Sequence, residues 1–305
     1  MITQSHLKLI SEIVSPSMML VDEPMSKHTT FRIGGPADVL AEPTNETQLE
    51  GLLKMLRQTQ LPYIIIGNGS NILVADKGIR GVVVKLGNDF ADCLVDGNTM
   101  SAQSGIKLSK LAKIALDNGL TGLEFAAGIP GTLGGALFMN AGAYDGEMKN
   151  VVDTVTYFDE KGKKNTIKCD DCMFGYRTSI FAQNPDWVII GCTINLEKGD
   201  KDAIRAKMDD FAQRRSSKQP LNLPSAGSTF KRPEGAFAGK LIQDAGLMGY
   251  RVGGASVSVK HAGFLVNDQD ATAADMRELI RQVQEKVKEM SGFDLHTEVK
   301  MIGDF

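Results

Sequence analysis

The sequence predicts an α+β protein in which two short α/β units precede a separate C-terminal α/β domain. Three observations support this prediction. Helically spaced leucines after Thr47 lead into two short apolar runs, and from Val151 the chain becomes rich in β-branched and aromatic residues. Beyond residue 200, two helical patterns flank a glycine-rich stretch. These changes of hydrophobic period predict alternating helices and strands.

The first unit begins with a helix and two strands. Thr47-x-x-Glu50 resembles a capping box, and four leucines follow at helical spacing. Pro62 ends this helix, and Tyr63–Ile66 reads as a short buried strand. The run GVVVKL at 81–86 predicts another strand.

Later elements follow the same reasoning. Apolar residues from Leu108 to Leu116 predict a helix closed by Asn118-Gly119. The remaining predictions, in chain order, are strands at 151–158 and 187–196, a polar helix at 202–215, a glycine-rich loop region at 225–264, a helix capped by Thr272 and Asp275 and ended by Gly292, and an amphipathic edge strand at 296–300.

Composition excludes several classes of protein. The 305 residues suit two or three packed subdomains, and a formal net charge of -3 disfavours bulk nucleic-acid binding. The N-terminus has no basic segment followed by an apolar block, so we expect the four cysteines to be reduced cytosolic thiols. Cys169-x-x-Cys172 has no second pair and no histidine at ligand spacing, so we expect no metal.

One uncharged stretch, from Phe125 to Tyr144, is long enough to cross a bilayer. Its many glycines, together with Pro130 and Asn140, make a poor membrane helix and favour a loop where backbone approaches a ligand. We therefore expect no membrane association through this segment.

Two glycine-rich segments are candidates for cofactor binding. Gly67-Asn68-Gly69-Ser70-Asn71 follows a strand directly, so its N–H groups can converge on a pyrophosphate. It is neither a Rossmann fingerprint, because Ile72 replaces the third glycine, nor a P-loop. The run GIPGTLGG at 128–135 exposes backbone that a ring or phosphate could approach. A purely structural turn or packing loop remains open for both segments.

Three further segments carry side chains suited to acid–base or carboxylate chemistry. Arg177 follows Tyr176 and could pair with a carboxylate through two hydrogen bonds, although a surface arginine is the alternative. Ser228 lies between Gly227 and aromatic Phe230, without the G-x-S-x-G pattern of a hydrolase. The segment HTEVK at 296–300 contains Glu298, and taken alone it indicates only an edge strand.

Together and in this order, these segments closely resemble the UDP-N-acetylenolpyruvoylglucosamine reductase family, over nearly the whole chain. The resemblance rests on seven segments: FRIGGPAD (31–38), GNGSNILV (67–74), GIPGTLGGALFMNAGAYDGE (128–147), DCMFGYRTSIF (171–181), AGSTFKRP (226–233), AGKLIQDAGLMGYRVGGASVSVKHAGFLVN (238–267) and HTEVKMIG (296–303).

The resemblance implies an FAD-binding module of the vanillyl-alcohol-oxidase (PCMH) type, made of two α/β subdomains at 15–85 and 86–200. A C-terminal substrate-binding domain would follow at 201–305. By the same resemblance, FAD would contact Gly67, Asn68, Gly69, Ser70, Asn71, Ile129, Pro130, Gly131, Gly134, Asn140 and Gly142.

The resemblance also implies a reaction, the reduction of an enolpyruvyl nucleotide sugar with NADPH as hydride donor, in peptidoglycan precursor synthesis. Arg177 would bind the substrate carboxylate, Glu298 would share the developing charge, and Ser228 would protonate C2. An ionised Glu298 would repel an anionic intermediate, so we expect it to be protonated or to act through water.

Substrate contacts are implied for Tyr176, Arg215, Lys218 and Gln243. Two positions depart from the family pattern, because Arg232 and Lys300 stand where other members have Asn and Arg. The longer insertion with a tyrosine that folds over the substrate is absent, so the chain resembles the shorter subtype. The resemblance implies a nucleotide-sugar partner, and we expect no nucleic-acid or membrane partner and a monomer.

Two alternatives remain at this stage. The chain could be another FAD-dependent oxidase or dehydrogenase of the same superfamily, but AGSTFKRP and HTEVKMIG resemble the reductase rather than the shared FAD module. It could instead be a non-enzymatic nucleotide-sugar-binding module without flavin. Fold alone does not decide among these functions.

Overall fold

A computed structural model describes residues 2–305 and shows an α+β protein. Within those residues, none of the helices combines the length and the apolar character that crossing a membrane requires. The uncharged stretch from Phe125 to Tyr144 holds a 3-10 turn, the short helix Leu133–Phe138 and one edge of a small hairpin. It is therefore more ordered than the loop that the sequence predicts.

The described residues contain eight α-helices: α1 (Gln4–Ile13), α2 (Glu46–Gln58), α3 (Leu108–Asp117), α4 (Leu133–Phe138), α5 (Ile180–Gln183), α6 (Lys201–Lys218), α7 (Ala238–Asp244) and α8 (Ala273–Ser291). The strands are β1 (Met19–Pro24), β2 (Pro36–Ala41), β3 (Tyr63–Ile66), β4 (Ile72–Val74), β5 (Ile79–Lys85), β6 (Cys93–Asp96), β7 (Thr99–Gln103), β8 (Leu120–Thr121), β9 (Gly142–Ala143), β10 (Gly146–Glu147), β11 (Val152–Phe158), β12 (Lys164–Lys168), β13 (Val188–Asn195), β14 (Glu197–Lys198), β15 (Arg251–Val252), β16 (Ala255–Val257), β17 (Leu265–Asn267) and β18 (Lys300–Ile302).

The chain divides into two compact units. The first unit comprises Met1–Leu20, Val39–Asn68 and Gly81–Arg215, and the second comprises Val21–Asp38, Gly69–Arg80 and Ser216–Phe305. The chain passes from one unit to the other within β1, β2, β5 and α6, and also between Asn68 and Gly69. The division into 15–85, 86–200 and 201–305 stays a prediction.

The first unit has two hydrophobic cores. One lies under α1, α2, β3 and β5, and β3 and β5 pair in parallel within a four-stranded sheet of order β1-β2-β5-β3. The other core lies against an antiparallel sheet of order β12-β11-β13-β7-β6 and is covered by α3 and α4. Buried residues alternate with more exposed ones along β7, and half-buried residues alternate with exposed ones along β6, which fits a sheet with only one face in the core.

Helix α2 begins earlier than the sequence predicts. Its N-cap is Asn45, whose side chain accepts a hydrogen bond of 3.0 Å from the backbone N–H of Gln48. The predicted capping box at Thr47 and Glu50 is therefore wrong, because Asn45 is the better cap and both residues lie inside the helix. The leucine face that the sequence identifies is buried as expected.

The second unit is built around α8 and a small sheet. The sheet has the order β15-β16-β17, and α8 buries six residues against it. Thr272 and Asp275 form the predicted capping box, and Gly292 ends the helix with φ 75°. Asp76 adds a second cap, because its carboxylate accepts the N–H groups of Ala273 at 2.7 Å and Ala274 at 2.9 Å.

Two predictions for this unit need correction. The glycine-rich region 225–264 contains α7, β15 and β16 rather than only loops. The C-terminal strand is Lys300–Ile302, paired in parallel with Ile72–Val74, whereas 296–299 make only an isolated bridge through Thr297. A partner more than 220 residues away in sequence fixes this strand, so local periodicity could not locate it.

Candidate active site

The two predicted cofactor segments meet in the first unit. The side-chain amide of Asn68 donates a hydrogen bond of 2.6 Å to the carbonyl oxygen of Pro130. A Cβ on Gly67 would lie 2.0 Å from Thr132 Oγ1, so a larger residue at 67 would collide with the second segment. Glycine at 67 is therefore needed for the close approach of the Thr132 side chain to this backbone.

A polar cavity of about 190 Å³ opens beside this junction. It is lined by Glu42, Gly67, Asn68, Lys85, Gly87, Asn88, Asp89, Lys107 and Thr132. Lys85 is paired with Glu42 at 2.8 Å, and Lys107 adds a second cation. Glycine backbone, amide donors and cations together suit the phosphates of a dinucleotide, so these residues fit FAD.

The glycines of the second segment allow tight packing. The N–H of Gly134 donates to the carbonyl oxygen of Ser104 at 2.7 Å, and a Cβ at 134 would lie 2.9 Å from that of Ser104. The carbonyl oxygen of Gly131 accepts from the N–H of Leu108 at 3.1 Å. Ser104 Oγ is buried without a hydrogen-bond partner in the protein, so it is a polar group that a ligand could satisfy.

Asn140 shapes the loop through its own side chain. It is buried, and its amide nitrogen donates to Glu147 at 2.8 Å and to the carbonyl oxygen of Gly175 at 3.2 Å. Its amide oxygen accepts from the N–H of Lys149 at 3.0 Å. These bonds engage both ends of the amide, so Asn140 is fitted to hold neighbouring backbone in place.

Arg177 lies in a tight turn. Gly175 and Thr178 exchange backbone hydrogen bonds of 3.1 Å and 3.4 Å, with Tyr176 and Arg177 between them. Arg177 has φ 55°, which an L-residue adopts at a cost of about 1–2 kcal/mol. Its guanidinium lies 5.4 Å from the centre of the Tyr176 ring, and Nη2 is 3.5 Å from the carbonyl oxygen of Gly142.

Left-handed backbone clusters around this turn. Of nine non-glycine residues with positive φ among residues 2–305, five lie between 140 and 177: Asn140, Tyr144, Asp145, Met173 and Arg177. Such conformations persist where the surrounding structure enforces them, and they concentrate at functional sites. This cluster therefore marks the loops around Arg177 as a functional region of the first unit.

Helix α6 packs against the same loops. The ring of Tyr144 stacks on Phe211 with centroids 4.4 Å apart, and the Tyr144 hydroxyl donates to the carbonyl oxygen of Phe211 at 3.1 Å. One turn later, Arg215 lies over Gly128, where a Cβ would be 3.1 Å from Nη1. Burial lowers the pKa of Arg215, but arginine remains charged at neutral pH.

In the second unit, the segments that carry Ser228 and Glu298 are hydrogen bonded to each other. The N–H of Glu298 donates to the carbonyl oxygen of Thr229 at 2.8 Å, and Phe230 pairs with Thr297. Ser228 is exposed, Glu298 is half-buried, and Thr229 is fully buried between them in this pairing. Two predicted catalytic residues are thus brought together, whereas Arg177 belongs to the first unit.

Asn71 belongs to the same arrangement in the second unit. Its side-chain amide donates to the carbonyl oxygen of Glu298 at 3.2 Å, and its own carbonyl oxygen accepts from the N–H of Lys300 at 3.0 Å. Gly69 has φ 62°, and a Cβ there would lie 2.0 Å from the carbonyl oxygen of His28. Residues 69–71 therefore connect directly to the chain around Glu298.

The remaining predicted substrate residues are exposed or lie at the surface. Tyr176 is 56% exposed, and Lys218 and Gln243 are exposed at the ends of α6 and α7. Arg232, one of the departures from the family pattern, stacks its guanidinium 3.9 Å from the centre of the exposed Phe237 ring. Exposure at these positions leaves the side chains accessible to a ligand.

Sequence reasoning missed three residues that the structure places at these sites. Thr132 and Lys107 line the cavity, and Thr229 lies between Ser228 and Glu298 in the backbone pairing. Thr132 lies inside the segment GIPGTLGG, and Thr229 lies inside the segment AGSTFKRP. Membership of these segments could therefore have indicated both residues as candidates for the site. Lys107 lies in no quoted segment, and only the fold brings it to the cavity.

The cysteine pair shows no sign of reactivity. All four cysteines are free thiols, and burial raises the pKa of Cys172 to about 12. Burial also raises the pKa of Cys169. Within residues 2–305, no group of three or more metal-ligating side chains is found.

These features define a flavoprotein. Residues 37–167 match the model of the FAD binding domain, and this range contains the cavity and both glycine-rich segments. Residues 219–302 match the C-terminal domain of UDP-N-acetylenolpyruvoylglucosamine reductase. The chain belongs to the UDP-N-acetylenolpyruvoylglucosamine reductase family.

Relatives cover almost the whole chain. A UDP-N-acetylenolpyruvoylglucosamine reductase of Clostridium perfringens is 52% identical over 97% of both chains, and one of Caldanaerobacter subterraneus is 50% identical over 97% of both. The crystal structure of the reductase from Thermus caldophilus has a TM-score of 0.81 at 34% identity, covering 93% of this chain and 100% of that one.

More distant structures share the fold alone. Phl p 4, a grass pollen allergen with glucose dehydrogenase activity, has a TM-score of 0.51 at 17% identity and covers 64% of this chain and 44% of its own. With the FAD binding domain match, this likeness confirms the predicted α+β fold with a PCMH-type FAD module.

Proposed function

We propose that this protein catalyses the NADPH-dependent reduction of UDP-N-acetylglucosamine-enolpyruvate to UDP-N-acetylmuramate through bound FAD, in peptidoglycan precursor synthesis. One structural observation carries the proposal. Thr229 accepts the N–H of Glu298, so the two C-terminal segments typical of the reductase form one hydrogen-bonded unit around Ser228. An oxidase that shares only the FAD module has no need of this arrangement.

FAD would be held by Gly67, Asn68, Gly69, Ser70, Asn71, Ile129, Pro130, Gly131, Gly134, Asn140 and Gly142. Bound FAD would supply the redox chemistry, which is hydride transfer from NADPH to the enolpyruvyl group. Lys107 would add positive charge beside the phosphates, whereas the charge of Lys85 is balanced by its ion pair with Glu42. Asn140 would act through the backbone that it braces, because its side-chain amide is engaged within the protein.

Arg177 would bind the substrate carboxylate. A guanidinium offers two parallel, charge-assisted hydrogen bonds to a carboxylate, which hold its plane and orient the adjacent double bond. The turn between Gly175 and Thr178 fixes the backbone from which this side chain extends. A fixed donor at the carboxylate also stabilises the negative charge that develops there as C3 gains hydride.

Ser228 would protonate C2. Its O–H bond breaks as a new C2–H bond forms, and the seryl oxygen then regains a proton from water. Serine is a weak acid, but the enolate-like carbon is strongly basic, so the transfer can proceed. Glu298, in its protonated form or through water, would donate a hydrogen bond to the developing charge.

The substrate would also contact Tyr176, Arg215 and Lys218, and Gln243 would lie near its pyruvyl region. Arg215 and Lys218 would neutralise the diphosphate, and the desolvated guanidinium of Arg215 suits this role because burial strengthens its attraction for an anion. The proposed substrate is a water-soluble nucleotide sugar and the cysteines are free thiols, so we propose that the enzyme acts in the cytoplasm. We also propose that it acts as a monomer.

An anaerobic visible spectrum tests the proposal. The purified protein should show flavin absorbance that NADPH bleaches and that returns only when the enolpyruvyl nucleotide sugar is added. A flavin that bleaches but ignores this substrate would retain the FAD module and eliminate the proposed acceptor. A protein that takes up no flavin when FAD is offered would contradict the cofactor assignment and favour a non-enzymatic binding module.

A further inference from the structure

We infer that Thr229 is a positioning residue, which fixes the Ser228 hydroxyl relative to Glu298 and so sets the rate of proton transfer to C2. The inference rests on the proposed function. Thr229 itself reaches no reacting atom in this scheme, because its side chain is fully buried and engaged within the protein. Its effect would pass through the backbone that it holds.

Three hydrogen bonds hold Thr229 from three directions. Its N–H donates to the carbonyl oxygen of Gly263 at 2.9 Å, and its carbonyl oxygen accepts the N–H of Glu298 at 2.8 Å. Its hydroxyl accepts the N–H of Leu265 at 3.2 Å, at the start of β17. Thr229 thus connects the segments 228–231, 263–265 and 296–298.

The bond to Gly263 bears directly on Ser228. The donor in this hydrogen bond is the N–H of the peptide group that joins Ser228 to Thr229. The bond therefore fixes the plane of that peptide group, next to the Ser228 side chain. On the other side, Gly227 has φ 75°, and nothing lies within 4 Å of the place a Cβ would occupy. The backbone of Ser228 is therefore restrained through Thr229 rather than through Gly227.

The hydroxyl of Thr229 is needed for this arrangement. Without it, the buried N–H of Leu265 would lose its partner, and β17 would have to move or admit water to satisfy it. Gly263 and Leu265 lie in one short stretch, so any movement of β17 also displaces the acceptor of the Thr229 N–H. Displacements near 1 Å in such a network slow catalysis by up to about a hundredfold.

The test separates the two half-reactions in the FAD-loaded enzyme. Thr229→Val keeps the branched shape and removes the hydroxyl, and Thr229→Ser keeps the hydroxyl. Stopped-flow absorbance would follow flavin reduction by NADPH and then reoxidation by the enolpyruvyl nucleotide sugar. Ser228 serves only the second step, so only that step should respond.

For Thr229→Val, reoxidation should slow by about 10- to 100-fold while reduction by NADPH stays near the parent rate. The solvent deuterium isotope effect on reoxidation should rise, because proton transfer becomes more rate-limiting. Thr229→Ser should restore most of the rate. Ser256→Ala removes another buried hydroxyl of the same unit, which donates to Asp268 at 3.4 Å, and it should leave both steps unchanged.

Parent-like reoxidation in Thr229→Val would overturn the inference, as would an equal slowing of both half-reactions with no change in the isotope effect. If Thr229→Val does not fold, Thr229→Ala removes the same hydroxyl with less steric demand and decides between these outcomes. A parent enzyme whose reduced flavin ignores the substrate would instead refute the proposed function itself.

Discussion

The side-chain amide of Asn71 donates a hydrogen bond of 3.2 Å to the carbonyl oxygen of Glu298. The N–H of Glu298 is bound by Thr229, so the peptide groups on both sides of Glu298 are fixed. A residue from the predicted FAD-phosphate segment therefore helps to hold a predicted catalytic carboxyl group in place.

Glu298→Gln tests the protonation state of this carboxyl group. If Glu298 acts as a neutral hydrogen-bond donor, glutamine can replace it, and we expect turnover within about tenfold of the parent. Glu298→Ala, which removes the donor, should slow reoxidation by about 10²–10³. Steady-state rates from pH 6 to 9 would check this, and a loss in Glu298→Gln that appears only above neutral pH would contradict a neutral donor.

Gly67→Ala should weaken FAD binding. The new Cβ would lie 2.0 Å from Thr132 Oγ1, and relieving such a clash costs about 1–3 kcal/mol, or roughly 5- to 150-fold in affinity. Flavin fluorescence titration of the apoprotein would measure the dissociation constant. Gly67→Ala combined with Thr132→Ala removes the colliding oxygen and should recover most of the loss. A double variant as weak as Gly67→Ala would show that the collision is not the cause.

Arg177→Gly should slow the reaction with substrate while leaving the stability of the protein nearly unchanged. Glycine adopts the φ of 55° without strain, although it is more flexible in the unfolded chain, so the free energy of unfolding should stay within about 1 kcal/mol. Reoxidation by the substrate should nevertheless fall by about 10²–10³. Arg177→Lys keeps the charge but not the paired hydrogen bonds, and an intermediate rate is expected. Chemical denaturation and stopped-flow rates together would check this, and parent-like reoxidation in Arg177→Gly would exclude Arg177 as the carboxylate ligand.

Glu124 should make stability depend on pH. Burial acts to raise its pKa, but hydrogen bonds from Thr121 Oγ1 at 2.5 Å and the N–H of Gly122 at 3.0 Å, with Lys207 at 3.6 Å, outweigh it and lower the pKa below 4.5. Because the folded state has the lower pKa, this contribution is complete above about pH 4.5 and is lost as the pH falls through the folded value.

Glu124→Gln should therefore destabilise the protein by about 1–3 kcal/mol at pH 7, and the difference from the parent should shrink below pH 4.5. Urea denaturation of both proteins at pH 7 and pH 4 measures this. A difference that stays constant across that range would show that the charge of Glu124 contributes nothing.

Local signals predicted much of the fold. Leucine spacing located α2, and Thr272, Asp275 and Gly292 located both ends of α8, because caps and periodicity are encoded in neighbouring residues. Strand β18 was misplaced because its partner is β4, far away in sequence, and the parallel pairing leaves no local pattern at 300–302.

In the site, too, local signals identified some residues, whereas residues that depend on distant contacts were not predicted. Glycines 67 and 69 were identified from the segment after β3, and the close contacts at both positions explain why glycine is needed. The left-handed turn at Arg177 could not be predicted, since arginine has no preference for that conformation. Thr229 was overlooked because its function is to accept and donate hydrogen bonds across three segments that only the fold brings together.

The most direct test of the proposed chemistry is single-turnover reoxidation in Ser228→Ala. NADPH should bleach the flavin of this variant at the parent rate, whereas reoxidation by the enolpyruvyl nucleotide sugar should slow by about 10²–10⁴, the usual contribution of a general acid. Ser225→Ala, three residues before Ser228, should behave like the parent. Reoxidation of Ser228→Ala at the parent rate would contradict the assignment of Ser228 as the proton donor, and with it the proposed chemistry of the C-terminal unit.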